Sequence, residues 1–280
     1  LMARVRAAII TDIHYGYDVG RRLGSKGPKL IEHFVDAVNR YAPDFVVDMG
    51  DRVSSKDPAT DRGFMTELRQ KFNRLSAPFH ALIGNHDIKN LTRADNEEIL
   101  GSPGNSYSHD YNGYHFVFWN PNVNNFTKQG LSLDNEDLEW LEADLAATDK
   151  PAVVFSHVPL DNLESDSTYS DDPEADQISN RFFYPEGPDA RKILEDSGKV
   201  ILCMSGHRHK KRQREINGIH YITQQSFTYA YGDTDRASRS YAYLELDEDR
   251  IRIQLRGHDR QRYDLTPRET ATSAARKVQR

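Results

Sequence analysis

The chain has 280 residues, of which 37% are hydrophobic and 29% are charged, and its formal net charge is −6. This negative charge argues against a nucleic-acid-binding surface, which is normally basic. No stretch approaches the roughly 20 apolar residues that cross a bilayer, and no secretory signal is recognisable. We therefore expect a cytoplasmic protein with neither nucleic-acid nor membrane partners. Cys203 is the only cysteine, which excludes an internal disulfide.

In the first half of the chain, the hydrophobic pattern predicts short buried strands that alternate with helices. The predicted elements are, in order, a strand at 4–11, a long loop to residue 27, a helix at 28–41, a strand that ends at residue 49, a helix at 60–75 and a strand at 79–83. This alternation of strand, loop and helix indicates a layered α/β architecture.

The second half is predicted to contain more antiparallel structure. Its predicted elements are a hairpin at 106–119, a helix at 135–147, a strand at 152–156, a short helix at 189–195, a strand at 199–204 and two hairpins at 212–223 and 241–255. Residues 161–188 have no regular pattern, and we expect them to form a lid over a functional site because long loops in compact domains are usually functional or disordered. We assign residues 1–262 to one domain and expect residues 263–280 to form a mobile tail.

Side chains of the kind that bind metal ions follow five of the predicted strands. They are Asp12 and His14, Asp51, Asn85, His157, and His207 and His209. Ligands of α/β folds collect beyond the strand ends, so we expect these side chains to converge. Imidazole, carboxylate and amide donors without thiolate suit Mn, Fe or Zn. Two such ions about 3.5–4 Å apart acidify a shared water for attack on phosphorus, and Asp51 is the expected bridging ligand.

The motifs, taken in order, resemble those of the calcineurin-like metallophosphoesterase family over about residues 4–256. They are Asp12-x-His14, Gly50-Asp51, Gly84-Asn85-His86-Asp87, His157 and Gly206-His207-x-His209. The resemblance implies a four-layer α/β/β/α sandwich of two mixed β-sheets flanked by helices, with two divalent or mixed-valence metal ions. It further implies that Asp12, His14, Asp51 and His209 hold the first ion, and that Asp51, Asn85, His157 and His207 hold the second.

His86 is then free to act as the general acid for the leaving group, a role that typically contributes 10²–10⁴-fold. We expect Asp87 to orient it by accepting its other N–H. Residues beside the motifs are candidates for contacts with the substrate, namely Arg52, Arg208, Tyr15 and Tyr17. For Arg52 and Arg208, exposure to solvent or the formation of ion pairs is the alternative interpretation. For Tyr15 and Tyr17, the alternative is packing of the loops onto the body of the protein. The basic run Lys210-Lys211-Arg212-x-Arg214 is expected to be a charged edge strand.

Three functions remain open at this point. The favoured one is a phosphodiesterase that cleaves a cyclic nucleotide or another small phosphodiester through a metal-bridging hydroxide, because His157-Val158-Pro159 and the neighbouring motifs resemble class III cyclic nucleotide phosphodiesterases. A phosphomonoesterase or a nucleotide pyrophosphatase on the same site is the alternative, since the C-terminal half is similar to manganese-dependent ADP-ribose and CDP-alcohol pyrophosphatases. A scaffold without activity is the third, and the complete ligand set argues against it.

Overall fold

The computed structural model describes residues 4–161 and 180–270, and these contain fourteen strands and five α-helices. The strands are β1 (Val5–Ile10), β2 (Asp18–Val19), β3 (Arg22–Leu23), β4 (Phe45–Asp48), β5 (Phe79–Ala81), β6 (Tyr107–Tyr111), β7 (Tyr114–Trp119), β8 (Ala152–Ser156), β9 (Val200–Ser205), β10 (Arg212–Ile216), β11 (Ile219–Thr223), β12 (Tyr241–Asp247), β13 (Arg250–Arg256) and β14 (Gln261–Leu265). The helices are α1 (Gly27–Tyr41), α2 (Pro58–Phe72), α3 (Arg93–Leu100), α4 (Asn135–Ala146) and α5 (Gly187–Asp196).

Twelve of the strands form two six-stranded mixed sheets. The first sheet has the order β14-β13-β12-β1-β4-β5, and the second has the order β10-β11-β9-β8-β7-β6. In the first sheet β1, β4 and β5 are parallel. In the second sheet β7, β8, β9 and β11 are parallel. The carboxyl ends of each parallel set therefore lie along one edge of its sheet.

Three layers of buried side chains hold the fold together. Ile9 and Val47 of the first sheet pack between the sheets against Phe155 and Met204 of the second. Helices α1 and α2 cover the outer face of the first sheet, and α4 and α5 cover the outer face of the second. Fully burying one large aliphatic side chain contributes about 1.5–3 kcal/mol to folding, so these layers supply most of the driving force for folding. The four-layer sandwich that the resemblance implies is confirmed.

Helix α1 shows how the sequence sets the bounds of an element. Pro28 occupies its first turn, where the missing N–H costs nothing. Ile31, Phe34 and Val38 are spaced to form one apolar face, and all three are buried. The helix ends at Tyr41, and the residue that caps it, Ala42, has left-handed backbone with φ of 50°.

The C-terminal boundary expected from the sequence is wrong, because β14 crosses it. Gln261–Leu265 pairs with β13, so that Tyr263 lies opposite Ile253 and Leu265 opposite Ile251. Both side chains pack against the core between the sheets. An expected tail that begins at residue 263 therefore overlaps an edge strand, while residues 271–280 lie outside the described part of the chain.

Two other elements were not predicted from the sequence. The expected loop at 11–27 contains the short hairpin of β2 and β3 and the first residue of α1. Helix α3 follows a capping box formed by Thr92 and Asp95. Within residues 4–161 and 180–270, no helix is long and apolar enough to span a membrane.

Candidate active site

The five motifs lie at the carboxyl ends of β1, β4, β5, β8 and β9, and backbone hydrogen bonds tie them together. The N–H of Asp12 donates to the carbonyl oxygen of Gly50 at 2.9 Å, and the N–H of Gly206 donates to that of His157 at 3.0 Å. The two sheets are joined by the N–H of His207, which donates to a carboxylate oxygen of Asp12 at 3.0 Å. The side chains that follow these five strands therefore lie together in one continuous site, as expected from the sequence.

Two motif glycines are required because other motifs approach them closely. A Cβ at Gly84 would overlap the carboxylate of Asp51, and a Cβ at Gly206 would overlap Thr11 and the carboxylate of Asp12. Any side chain at either position would push a predicted ligand away. The glycines of these motifs thus serve the geometry of the site.

Backbone strain is concentrated at the predicted ligands. Five of the seven have left-handed backbone, with φ between 48° and 66°: Asp12, His14, Asp51, His207 and His209. For a residue other than glycine this conformation costs of order 1–3 kcal/mol. Strain of this kind persists where the surrounding structure imposes it, and it clusters at functional sites.

The first group of donors is Asp12, His14, Asp51 and His209. One potential ligand atom from each lies within 4.8 Å of every other. Nε2 of His14 is 2.9 Å from Nε2 of His209, and Nε2 of His209 is 3.3 Å from Oδ1 of Asp12. The side chains converge on one point, as the resemblance implies for the first metal ion.

The second group is Asp51, His157 and His207, whose potential ligand atoms also lie within 4.8 Å of one another. Oδ1 of Asn85 is 3.2 Å from Nε2 of His157. Nδ1 of His157 lies 2.9 Å from the backbone oxygen of Met49. A carbonyl only accepts, so Nδ1–H donates to it, and Nε2 is the ring nitrogen that faces the other donors of this group. Asp51 belongs to both groups, which is the bridging position predicted for it.

The comparisons with known proteins agree with this geometry. Residues 5–211 match the family model described as calcineurin-like phosphoesterase. The chain belongs to the calcineurin-like phosphoesterase family. It is therefore a metal-dependent phosphoester hydrolase, and enzymes of this family act on small phosphoester substrates.

Among its relatives, this calcineurin-like phosphoesterase is 22% identical over 263 residues to a manganese-dependent ADP-ribose/CDP-alcohol diphosphatase of Arabidopsis thaliana, which covers 74% of this chain and 80% of the relative. Its fold is similar to that of a dimetal phosphatase from Danio rerio, with a TM-score of 0.74, 16% identity and coverage of 94% of this chain and 98% of the other. It is also similar to that of GAP50, the anchor in the inner membrane complex of Plasmodium, with a TM-score of 0.63, 14% identity and coverage of 98% and 94%.

The donor set of this phosphoesterase fits two metal ions. Burial disfavours the charged form of Asp12, but hydrogen bonds from His14 and His209 hold its pKa well below the ordinary range. Burial lowers the pKa of His14 to about 4 and that of His207 to about 3, so both rings are neutral, as ligands must be. Burial also acts to lower the pKa of His157, but the carboxylate of Asp51 outweighs it and raises the pKa to about 9. The buried carboxylates thus attract positive charge to this point.

The expected role of Arg52 in substrate binding is wrong, because its side chain is fully buried. Its guanidinium lies 2.9 Å from the carboxylate of Asp48 and 2.8 Å from that of Asp87, and it donates to the backbone oxygen of Leu82 at 2.5 Å. In the sequence Arg52 directly follows Asp51, which gives no indication that it points into the protein. Its role is to neutralise two buried carboxylates.

The expected role of Asp87 in orienting His86 is also wrong. The carboxylate of Asp87 accepts the backbone N–H groups of Gly84, Asp51 and Arg52 at 2.7–3.0 Å, besides binding the guanidinium of Arg52. It therefore joins the Gly-Asp turn to the Gly-Asn-His-Asp turn. The ring of His86 has another partner, because its Nδ1 lies 2.8 Å from Oγ of Ser55.

Of the other expected substrate contacts, only Arg208 lines the cavity over the predicted ligands. The hydroxyl of Tyr15 donates to Glu67 at 2.6 Å, and its ring packs on Phe64. The side chain of Tyr17 is 54% exposed, and the ammonium group of Lys56 lies over its ring. The prediction that these two tyrosines contact the substrate in this cavity is therefore wrong.

The cavity has a basic and aromatic wall that the sequence did not reveal as a unit. Its cations are Arg22, Arg181, Arg208 and Lys210, and its aromatic side chains are Phe182 and Tyr229. Nη1 of Arg22 lies 3.2 Å from Nε2 of His86.

Two other expectations concern segments near the cavity. Of the expected lid, residues 162–179 lie outside the described part of the chain, so the lid stays a prediction. Arg212 lies in the edge strand β10, as predicted for the basic run.

Proposed function

We propose that this enzyme hydrolyses the diphosphate linkage of a small nucleotide-like substrate and releases two phosphate monoesters. The observation that carries the proposal is the contact of Arg22 with Nε2 of His86 at 3.2 Å. A general acid must face the leaving group, so a guanidinium beside it faces the leaving group too. A leaving phosphate keeps its negative charge, which the guanidinium binds well, whereas a leaving alcohol is neutral once the acid has protonated it.

The other lining residues support the same substrate class. Arg181, Arg208 and Lys210 add positive charge to the cavity wall. A simple diester has one negative charge and a diphosphate linkage has two, so the diphosphate gains more from this wall. Phe182 and Tyr229 add aromatic surface to the wall, with Arg208 over the ring of the first and Arg21 over the ring of the second, and such surface suits the organic part of a nucleotide. The named activity of the Arabidopsis relative, on ADP-ribose and CDP-alcohols, belongs to this class.

Two metal ions, when bound by the seven donors, supply Lewis acidity that neutralises phosphoryl oxygens and activates water. The oxygen of the attacking water forms the new bond to phosphorus and gives its proton to solvent. The bond from that phosphorus to the bridging oxygen breaks, and the bridging oxygen leaves with the electron pair. In the resting structure Nε2 of His86 accepts from Arg22, so the ring first takes up a proton from solvent at Nε2. The bridging oxygen then takes that proton, while Arg22 binds a non-bridging oxygen of the leaving phosphate.

The test compares ADP-ribose, 3′,5′-cyclic AMP, bis(p-nitrophenyl) phosphate and p-nitrophenyl phosphate, after chelation and return of Mn²⁺. We expect the highest kcat/KM on ADP-ribose. The Arg22→Met variant should lose about tenfold to hundredfold on ADP-ribose, the size of one hydrogen bond to a charged group. It should change little on bis(p-nitrophenyl) phosphate, whose leaving group is not a phosphate.

Arg40→Met is the control for this experiment. It removes the same charge from an exposed position of α1 that does not line the cavity. We expect wild-type kinetics from it. A preference for cyclic AMP, with equal losses on all substrates in Arg22→Met, would instead support the small-diester phosphodiesterase expected from the sequence.

A further inference from the structure

Ser55 makes two hydrogen bonds to the predicted general acid with a single hydroxyl. Its Oγ lies 2.8 Å from Nδ1 of His86 and 3.0 Å from the backbone oxygen of His86. The carbonyl oxygen can only accept, so the one hydroxyl hydrogen goes to it. Oγ must then accept from the ring, which places a proton on Nδ1 of His86.

The opposite side of the ring gives the same assignment independently. A guanidinium only donates, so Nε2 of His86 accepts from Nη1 of Arg22. His86 is therefore held with Nδ1–H towards Ser55 and with Nε2 towards the cavity. The edge-on contact of its ring with Phe126, at 5.7 Å between centroids, limits tilting of the ring.

The backbone of Ser55 also departs from ordinary geometry, with a φ of 61°. Left-handed backbone is unfavourable for a serine, and here it accompanies the placement of Oγ within reach of His86. Asp87, which the sequence suggested for this role, has its carboxylate occupied by the two turns that it joins.

We propose that Ser55 is the positioning residue for His86, fixing the Nδ1–H tautomer and aiming Nε2 at the leaving-group oxygen. This inference rests on the role of His86 as the acid in the proposed function, and its test uses aryl esters, so the result does not depend on the diphosphate substrate. To act as the acid the ring takes up a second proton from solvent at Nε2, where Arg22 donates in the resting structure. Nε2 gives that proton to the leaving group while Nδ1 keeps its own, so the bond to Ser55 is maintained through the transfer.

The Ser55→Gly variant tests the proposal with little risk to folding. Glycine adopts a φ of 61° without strain, so the variant should keep wild-type stability and metal content while it lacks Oγ. Its kcat should be measured on two esters of thymidine 5′-phosphate, the phenyl and the p-nitrophenyl ester, which share one phosphoryl group. Phenolate needs a proton to leave and nitrophenolate hardly does.

We expect kcat of Ser55→Gly to fall about tenfold or more on the phenyl ester, part of the 10²–10⁴-fold that a general acid supplies. On the p-nitrophenyl ester it should fall less than about threefold. Asn217→Gly is the matched control, because Asn217 is an exposed left-handed residue with φ of 51° in the β10–β11 turn. It should behave like the wild type on both esters.

Nitrogen NMR of His86 in the zinc-loaded protein gives a second readout that does not depend on activity. The wild type should show the Nδ1–H tautomer, and Ser55→Gly should show a mixture of tautomers. Equal losses on both esters, or an unchanged tautomer, would overturn the role of Ser55.

His86→Ala separates the two proposals. If kcat of His86→Ala falls selectively on the phenyl ester while kcat of Ser55→Gly does not, His86 is the acid and Ser55 does not position it. If His86→Ala shows no selectivity, the acid itself is misassigned and both proposals fail. Failure of ADP-ribose hydrolysis alone, with selective losses in both variants, would contradict only the diphosphate substrate.

Discussion

Oδ1 of Asp51 accepts the backbone N–H of His86 at 2.8 Å, while Oδ2 of the same carboxylate lies 3.4 Å from Nε2 of His157. One side chain thus connects the two groups of metal-type donors with the turn that carries the predicted acid. A shift of the Asp51 side chain would move the metal-type donors and the His86 turn together. This carboxylate therefore helps to fix the distance between the metal centre and the acid.

The buried ion pairs of Arg52 lead to a prediction about stability. Arg52→Met should lower the free energy of unfolding by about 3–5 kcal/mol, because removing one partner leaves buried carboxylates uncompensated. Urea denaturation of the chelated protein measures this, with the exposed Arg40→Met in α1 as control. Wild-type stability with a raised KM would instead indicate the substrate contact that the sequence suggested.

Gly84 should be intolerant of even one added carbon. In Gly84→Ala the new Cβ meets the carboxylate of Asp51, so we expect loss of bound metal and a fall in kcat of about 10²-fold, typical of a displacement near 1 Å. Gly63→Ala in α2 is the control, since nothing lies within 4 Å of its added Cβ. It should stabilise the protein by about 0.5–1 kcal/mol, and normal metal content in Gly84→Ala would contradict the prediction.

Much of the site was predictable because each metal-type donor follows an apolar run, and carboxyl ends of parallel strands meet. The cavity wall was predicted only in part. Arg208 was named because it adjoins a motif, but Arg22 lies in a hairpin with two residues per strand, and its neighbour Tyr229 is some 200 positions away. Ser55 belongs to no periodic pattern. Helix α3 escaped prediction because its eight residues are mostly polar, and β14 because it offers only two inward apolar side chains.

His80 should make the stability of the protein depend on pH. Its ring stacks on Phe118 at 4.2 Å, its nitrogens contact the hydroxyls of Tyr107 and Tyr111, and burial, with a smaller effect of nearby His109, lowers its pKa to about 4. The unfolded chain, with an ordinary pKa of 6.5, binds the proton more readily. Stability should therefore fall as pH decreases from about 7 to about 4, by about 3 kcal/mol at 1.36 kcal/mol per pKa unit.

Replacement of His80 by Phe should remove this part of the pH dependence. Unfolding of the chelated wild type and of His80→Phe should be followed by urea titration at pH 7, 5.5 and 4.5. The difference in unfolding free energy between the two proteins should change in favour of the variant as the pH falls. A difference that stays constant across the three values would show that His80 titrates normally in the folded state.

The shared carboxylate is tested by the metal content of Asp51→Asn and by its rate of hydrolysis, both measured in protein loaded with Mn²⁺ and freed of excess metal. We expect about two ions per chain in the wild type, and in Asp51→Asn the loss of at least one ion together with nearly all hydrolysis. Asp57→Asn is the control, because Asp57 caps α2 and Asn caps helices equally well. Two retained ions with unchanged hydrolysis in Asp51→Asn would contradict a shared carboxylate at the centre of the site.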